Sequence, residues 1–315
     1  MADPTPPPDQ PDQIIRPPAA SPPAPPTISP AQSAPPVDTT RVKKNPAASR
    51  EPIWGLRKPL PGHLRVPFML AMPAAVMLAW CVLTLGNDPL VNELFLPSPI
   101  KVLQATLRLF FDGTLTDAIL ASSWRILLSF AAAAAVALPL GVMMGAFEPF
   151  NRLMEPVMAP LRYLPISAFI PLLILWLGIG EEQKIAFLFL GVFVFLLPVV
   201  VTAIRAVPEE LVQTALTLGA SRWQVIRTVL LPSALPDIFD SFRVMNAISW
   251  TYVILAEFVN ARRGLGYMIQ LAGSHLHTAE VFSGILVIGI IGLLSDAIIR
   301  AVNRFLFRWR EQAVG

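Results

Sequence analysis

Four stretches of this sequence run the length of a bilayer without a charged side chain: residues 66–87, 126–147, 163–180 and 185–204. A hydrocarbon core is crossed by about 20 apolar residues in a helix. Inside it every backbone N–H and C=O must find a partner within the protein, so such runs read as helices. Two further stretches, 239–259 and 278–305, have the length but are interrupted by charge. The expected fold class is therefore all-α and polytopic, with about six transmembrane helices. Charge is what a bilayer excludes, and charged residues make up only 14% of the chain, where soluble domains carry about a quarter.

Residues 1–55 are of another kind, rich in Pro, Ala, Ser and Gln and almost free of aromatic side chains. Such a segment buries too little apolar surface to offset its ordering entropy. We read it as a disordered, Pro-rich tail and 56–315 as the transmembrane domain. Cytoplasmic loops of membrane proteins collect Lys and Arg. Arg41, Lys43, Lys44, Arg50, Arg57, Lys58 and Arg65 precede the first span, so the tail is expected in the cytoplasm. Alternate crossings then put 205–235, with Arg205, Arg222 and Arg227, on the same side, together with Arg304, Arg308 and Arg310 after the last span. Both chain ends are thus expected inside, and Arg262 and Arg263 are the exceptions, placed outside. Three His and one Cys argue against a metal site, and a net charge of +3 against a nucleic-acid partner.

Outside, Ser98 and Pro99 suit the cap and first position of a short helix, 100–111, lying in the interface with Ile100, Val102, Leu103, Leu107 and Phe110 as its apolar face. The cytoplasmic segment 205–235 carries the densest local signals. Pro208, Glu209 and Glu210 suit a helix start. Leu211, Ala215 and Leu218 fall on one face. Gly219 suits a left-handed helix end. Ser221 then caps a second helix, with Gln224 in place for a capping box, and Pro232 is expected to stop it. The outcome is a rigid helix–turn–helix knob bearing Ala220, Arg222, Trp223 and Arg227.

This segment resembles the binding-protein-dependent ABC importer permeases, whose corresponding loop reads E-A-A-x3-G-x9-I-x-L-P. Here Gln213, Thr214 and Ala215 are followed at that spacing by Gly219, Val229, Leu231 and Pro232, with Gln for the family's Glu and Thr for its first Ala. Phe95-Leu-Pro-Ser-Pro99, Leu164-Pro-Ile-Ser-Ala-Phe-Ile-Pro171 with Trp176-Leu-Gly-Ile-Gly180, Thr217-Leu-Gly-Ala-Ser-Arg-Trp223 and Gly264-Leu-Gly-Tyr-Met268 extend the resemblance over about 95–310, closest to the nitrate/sulfonate/taurine/bicarbonate branch. The resemblance implies a type I importer permease in the bacterial inner membrane, paired as a homodimer. Its partners would be cytoplasmic ABC ATPase subunits, gripping the knob, and a periplasmic solute-binding protein. It also implies a non-catalytic subunit moving a small anion inward. No Gly-rich loop ending in Gly-Lys-Ser or Gly-Lys-Thr occurs, so ATP and Mg are expected on the partner ATPase and no cofactor on this chain.

For a translocation path the fifth stretch stands out. Arg243, Asn246, Trp250 and Glu257 recur at helical spacing, flanked by Ser249 and Thr251, and the interval between the two charges is too short to span. Either these charges face a wet path, or Arg243 and Glu257 snorkel to opposite surfaces. Arg125 opens the second span and has two readings, an attractor of anions and an anchor at the headgroups. Asp296 and Arg300 form an i,i+4 pair on the sixth. A secondary transporter or channel working without ATP is the rival; it calls for internal repeats and broken mid-membrane helices.

Overall fold

A computed structural model describes residues 62–84 and 91–308. The tail at 1–55, the basic residues from Arg41 to Lys58 and Arg310 lie outside the described residues. The regular structure of the described residues is all helical: α1 (Gly62–Thr84), α2 (Pro99–Phe111), α3 (Thr114–Ala146), α4 (Glu148–Leu161), a 3-10 turn (Ile166–Phe169), α5 (Ile170–Leu177), α6 (Glu181–Arg205), α7 (Glu209–Thr217), α8 (Arg222–Val225), a π turn (Ile226–Leu230), α9 (Leu231–Phe258), α10 (Leu265–Ser274) and α11 (Thr278–Leu306).

The centre of the fold is the pair α3 and α6. Ala133, Ala137 and Gly141 follow each other at four-residue intervals on α3 and are buried. A Cβ on Gly141 would lie 2.6 Å from Val200, and one on Gly145 2.6 Å from Ile204. Small residues at this spacing let two helix backbones approach closely, which substitutes for the hydrophobic effect where the solvent is lipid. Since Arg125 meets Glu181 and Gly145 meets Ile204, the two helices run in the same direction. The chain between them must therefore cross back.

That return is made by α4 and α5, bent by 89° at the 3-10 turn. The span expected over 163–180 is made by this bent pair, which begins further back, at Glu148. Three prolines explain the bend: Pro160 near the end of α4, Pro165 at the cap of the 3-10 turn and Pro171 in the first turn of α5, each lacking a backbone donor. Four single helices (α1, α3, α6 and α11) have the length and apolarity to cross a membrane, and the bent pair makes five. With 28 residues α9 has the length of a sixth. It runs antiparallel to α6, where Gly191 receives the ring of Tyr252.

The apolar face of α2 divides. Val102, Ala105 and Leu109 are buried, whereas Ile100, Leu103, Leu107 and Phe110 remain exposed. The helix and its cap are as expected, with Pro99 in the first turn and Ser98 Oγ accepting from Lys101 N. The α1 helix is exposed on almost every face. It is tied on through Trp80, whose Nε1 donates to Pro97 O at 3.0 Å and whose ring lies against Phe282.

Candidate functional site

The knob, 205–235, is built almost wholly from local bonds. At the start of α7 Gln213 Nε2 donates to Glu209 Oε1 at 2.6 Å, and Thr214 Oγ1 donates to Glu210 O at 2.7 Å. The helix ends where Gly219 N donates to Leu216 O and Ala220 N to Ala215 O, the paired bonds of a Schellman ending. Gly219 takes φ +86° with open space around its Cβ position. Ser221 and Gln224 then form a reciprocal capping box, with Ser221 N donating to Gln224 Oε1 at 2.7 Å and Gln224 N to Ser221 Oγ at 3.4 Å.

Val225, Ile226 and Leu230 anchor the second half in the core, and Val212 and Ala215 are half-buried against it. Of the stripe expected from Leu211, Ala215 and Leu218, only Ala215 turns inward. Leu218 is 83% exposed and Trp223 57%. One edge of Trp223 meets Phe147, at the α3–α4 corner. Arg222 and Arg227 are exposed as well. The knob thus exposes two apolar side chains, Leu218 and Trp223, and two guanidinium groups, Arg222 and Arg227.

Pro232 does not stop the helix. From Arg222 to Phe258 the backbone stays right-handed helical through α8, the π turn and α9. Leu231 N donates to Ile226 O, one residue further back than in an α-helix. A wide turn just before a residue without an N–H is how the chain passes it without a break. Leu231 and Pro232 are therefore the first residues of a long rod.

Along that rod Arg243, Asn246 and Trp250 face α11. Arg243 Nε donates to Asp296 Oδ1 at 2.7 Å, and Asp296 also holds Arg300 at 3.0 Å. Asn246 Nδ2 and Trp250 Nε1 both donate to Ser295 Oγ, at 2.8 and 3.2 Å. Ser249 is buried and donates to Met245 O. Asn246, Trp250 and Ser295 line a largely apolar cavity of about 450 Å³ between α3, α9 and α11, together with Phe130 and Phe242.

Glu257 and Arg125 do something else. Neither snorkels: Glu257 is 0% exposed and Arg125 3%. Arg125 Nη1 donates to Glu257 Oε1 at 2.6 Å and to Arg263 O at 2.8 Å, while its Nε and Nη2 grip the Glu181 carboxylate. Ser122 Oγ donates to Glu257 Oε1 at 2.7 Å and accepts from Leu265 N at 2.9 Å. The other Glu257 oxygen accepts from Gly266 N at 2.7 Å. The start of α10 is thus capped by a carboxylate from α9 and a hydroxyl from α3. Both readings offered for Arg125 from sequence give way to this junction, because burial leaves neither water nor headgroups for the guanidinium to meet. The signal for it lay in two charges inside apolar runs, but nothing local says that they meet. Close by, Gln183 Nε2 is the one buried side-chain polar atom among the described residues that lacks a bond.

Residues 137–310 match the family described as the binding-protein-dependent transport system inner membrane component. The chain is 37% identical to the taurine transport system permease protein TauC of Escherichia coli (strain K12) over 74% of its own length and 86% of that protein. It is 32% identical to the putative aliphatic sulfonates transport permease protein SsuC of Bacillus subtilis (strain 168), over 81% and 92%. A chain in the crystal structure of a bacterial ABC transporter involved in the import of the acidic polysaccharide alginate superposes with a TM-score of 0.53 at 16% identity, covering 78% of this chain and 98% of that one.

Proposed function

The chain belongs to the binding-protein-dependent transport system inner membrane components, and from that premise we propose that it is the permease of an ATP-driven importer of small sulfonates such as taurine. It is a multi-pass transport subunit and does no covalent chemistry of its own. ATP and Mg²⁺ belong to a separate pair of ABC ATPase subunits, and two copies of this chain enclose the path. The knob end lies in the cytoplasm with both chain ends, and a solute-binding protein delivers cargo at the opposite end.

One observation carries the coupling part of this reading: the tip of the knob exposes Leu218 and Trp223 on a turn held by a Schellman ending and a capping box. Apolar side chains standing out on a stiff turn mark a surface that a protein partner covers. The residues assigned to that contact are Gln213, Thr214, Ala215, Gly219, Ala220, Ser221, Arg222, Trp223 and Arg227, with Leu231 and Pro232 leading into α9. The path is assigned to Arg243, Asn246, Ser249 and Trp250 on α9; Arg125 and Glu257, sealed in the junction at the far end of α9, stand apart from it. An arginine on this stripe suits an anionic cargo, and the names of the relatives favour a sulfonate over nitrate or bicarbonate.

Reconstitution tests the reading. Proteoliposomes holding the permease and its ATPase, with binding protein outside, are expected to accumulate radiolabelled taurine only when ATP is enclosed. Uptake without ATP, driven by an ion gradient, would instead establish the secondary transporter.

A further inference from the structure

The matched stretch Gly264-Leu-Gly-Tyr-Met268 has no part in the knob or the path, yet it has a physical explanation. Gly264 sits at φ +127°, and a Cβ there would overlap the Glu257 carboxylate. A Cβ on Gly266 would lie 2.9 Å from both Glu257 Cβ and Ile254 O. The two glycines form a cradle that only a chain without side chains can offer, and its content is the carboxylate at the last turn of α9. That carboxylate is joined to Ser122 and Arg125 of α3, and through Arg125 to Glu181 of α6.

A buried ion pair is weak evidence for stability, because desolvation offsets most of its attraction. What it fixes is geometry. The same helical run that ends at this junction begins at the knob, and α9 alone is about 42 Å long at 1.5 Å per residue. We propose that Glu257 and Arg125 are positioning residues for transport: they clamp the far end of α9 to α3, α6 and the 263–266 turn, so that a displacement of the knob reaches the end of the molecule where α2, α10 and the start of α11 lie. The clamp touches no cargo. It makes two helices and one turn respond as a unit to the rod that the ATPase moves. This inference rests on the importer reading above.

The test uses the assembled complex in nanodiscs, with ATP hydrolysis measured with and without taurine-loaded binding protein. Two variants are compared with wild type. In Arg125→Met/Glu257→Leu both charges leave together, and in Glu257→Gln the shape stays while the charge goes. Both are expected to insert and to retain the ATPase, with basal hydrolysis preserved. Stimulation by the loaded binding protein should fall by about fivefold or more, the size of an ordinary coupling between sites. Wild-type stimulation in either assembled variant overturns the proposal. So does failure of both variants to assemble, which would make the junction a folding element only. If the wild-type complex itself shows no stimulation, the importer reading fails first.

Discussion

The knob and the junction stand at opposite ends of one helical run and are made by opposite means. Around Gly219 each bond joins residues a few positions apart, the side chains at the tip face outward, and no neighbour lies within 4 Å of the glycine's missing Cβ. Around Glu257 the bonds join residues 132, 135 and 9 positions apart, and the carboxylate is sealed from solvent. Local bonds make a shape that survives contact with a partner and tolerates change. Long-range bonds make a shape that holds four segments together and tolerates little.

Substitutions that treat both ends alike should expose this difference. The largest effect is expected from Glu257→Ala, which leaves the Arg125 guanidinium buried with one carboxylate lost. Removing one partner of a buried pair costs about 3–5 kcal/mol, seen as a large fall in the thermal midpoint of the detergent-purified protein. Leu218→Ala at the other end should stay within about 0.5 kcal/mol of wild type.

Next come the two glycines. At Gly219 a side chain in the left-handed region costs roughly 1–2 kcal/mol, whereas Gly264, at φ +127° and ψ 163°, holds a conformation open essentially to glycine alone. Gly219→Val should incur only that cost, so membrane insertion persists while uptake is lost as the turn between α7 and α8 is forced out of shape. Gly264→Val adds a clash with the Glu257 carboxylate and should reduce insertion itself, measured as membrane yield. Equal yields for the two would erase the contrast.

A smaller effect follows from Ser221→Ala, which removes one half of the capping box. The loss is about 1 kcal/mol, local to the start of α8 and detectable as faster hydrogen exchange there, with α10 unaffected. The smallest is Gln213→Ala, where an exposed bond to Glu209 disappears at about 0.2–0.5 kcal/mol. Uptake near wild type is expected, since Gln already stands where the family pattern has Glu.

The same contrast decides what the sequence made legible. Ser98, Pro208, Gly219 and Ser221 act on neighbours a few residues away, so a one-dimensional reading finds their helix ends. The α3–α6 contact was missed because Ala133, Ala137, Gly141 and Gly145 look like ordinary apolar filler until a partner helix is placed against them. Arg125 and Glu257 stand out in sequence as charges in apolar runs, but their meeting is a matter of how α3 and α9 cross. At Pro232 the sequence shows only a missing donor, while the wider turn that carries the helix past it is set by the backbone around Ile226 and Leu231. The broken span at 161–171 was legible in principle, from Pro160, Pro165 and Pro171 close together in an apolar run.

The central claim is that the tip around Gly219 is held by a separate motor. With Cys81 replaced by serine, a Leu218→Cys permease can be purified with its ATPase subunits and treated with a short thiol-to-amine cross-linker. The account predicts one dominant adduct between the permease and an ATPase subunit, lost when the cysteine is placed on the opposite end at Leu276. An ATPase that co-purifies fully yet gives no adduct from position 218, or modification of that cysteine by an impermeant reagent added outside intact cells, would contradict it.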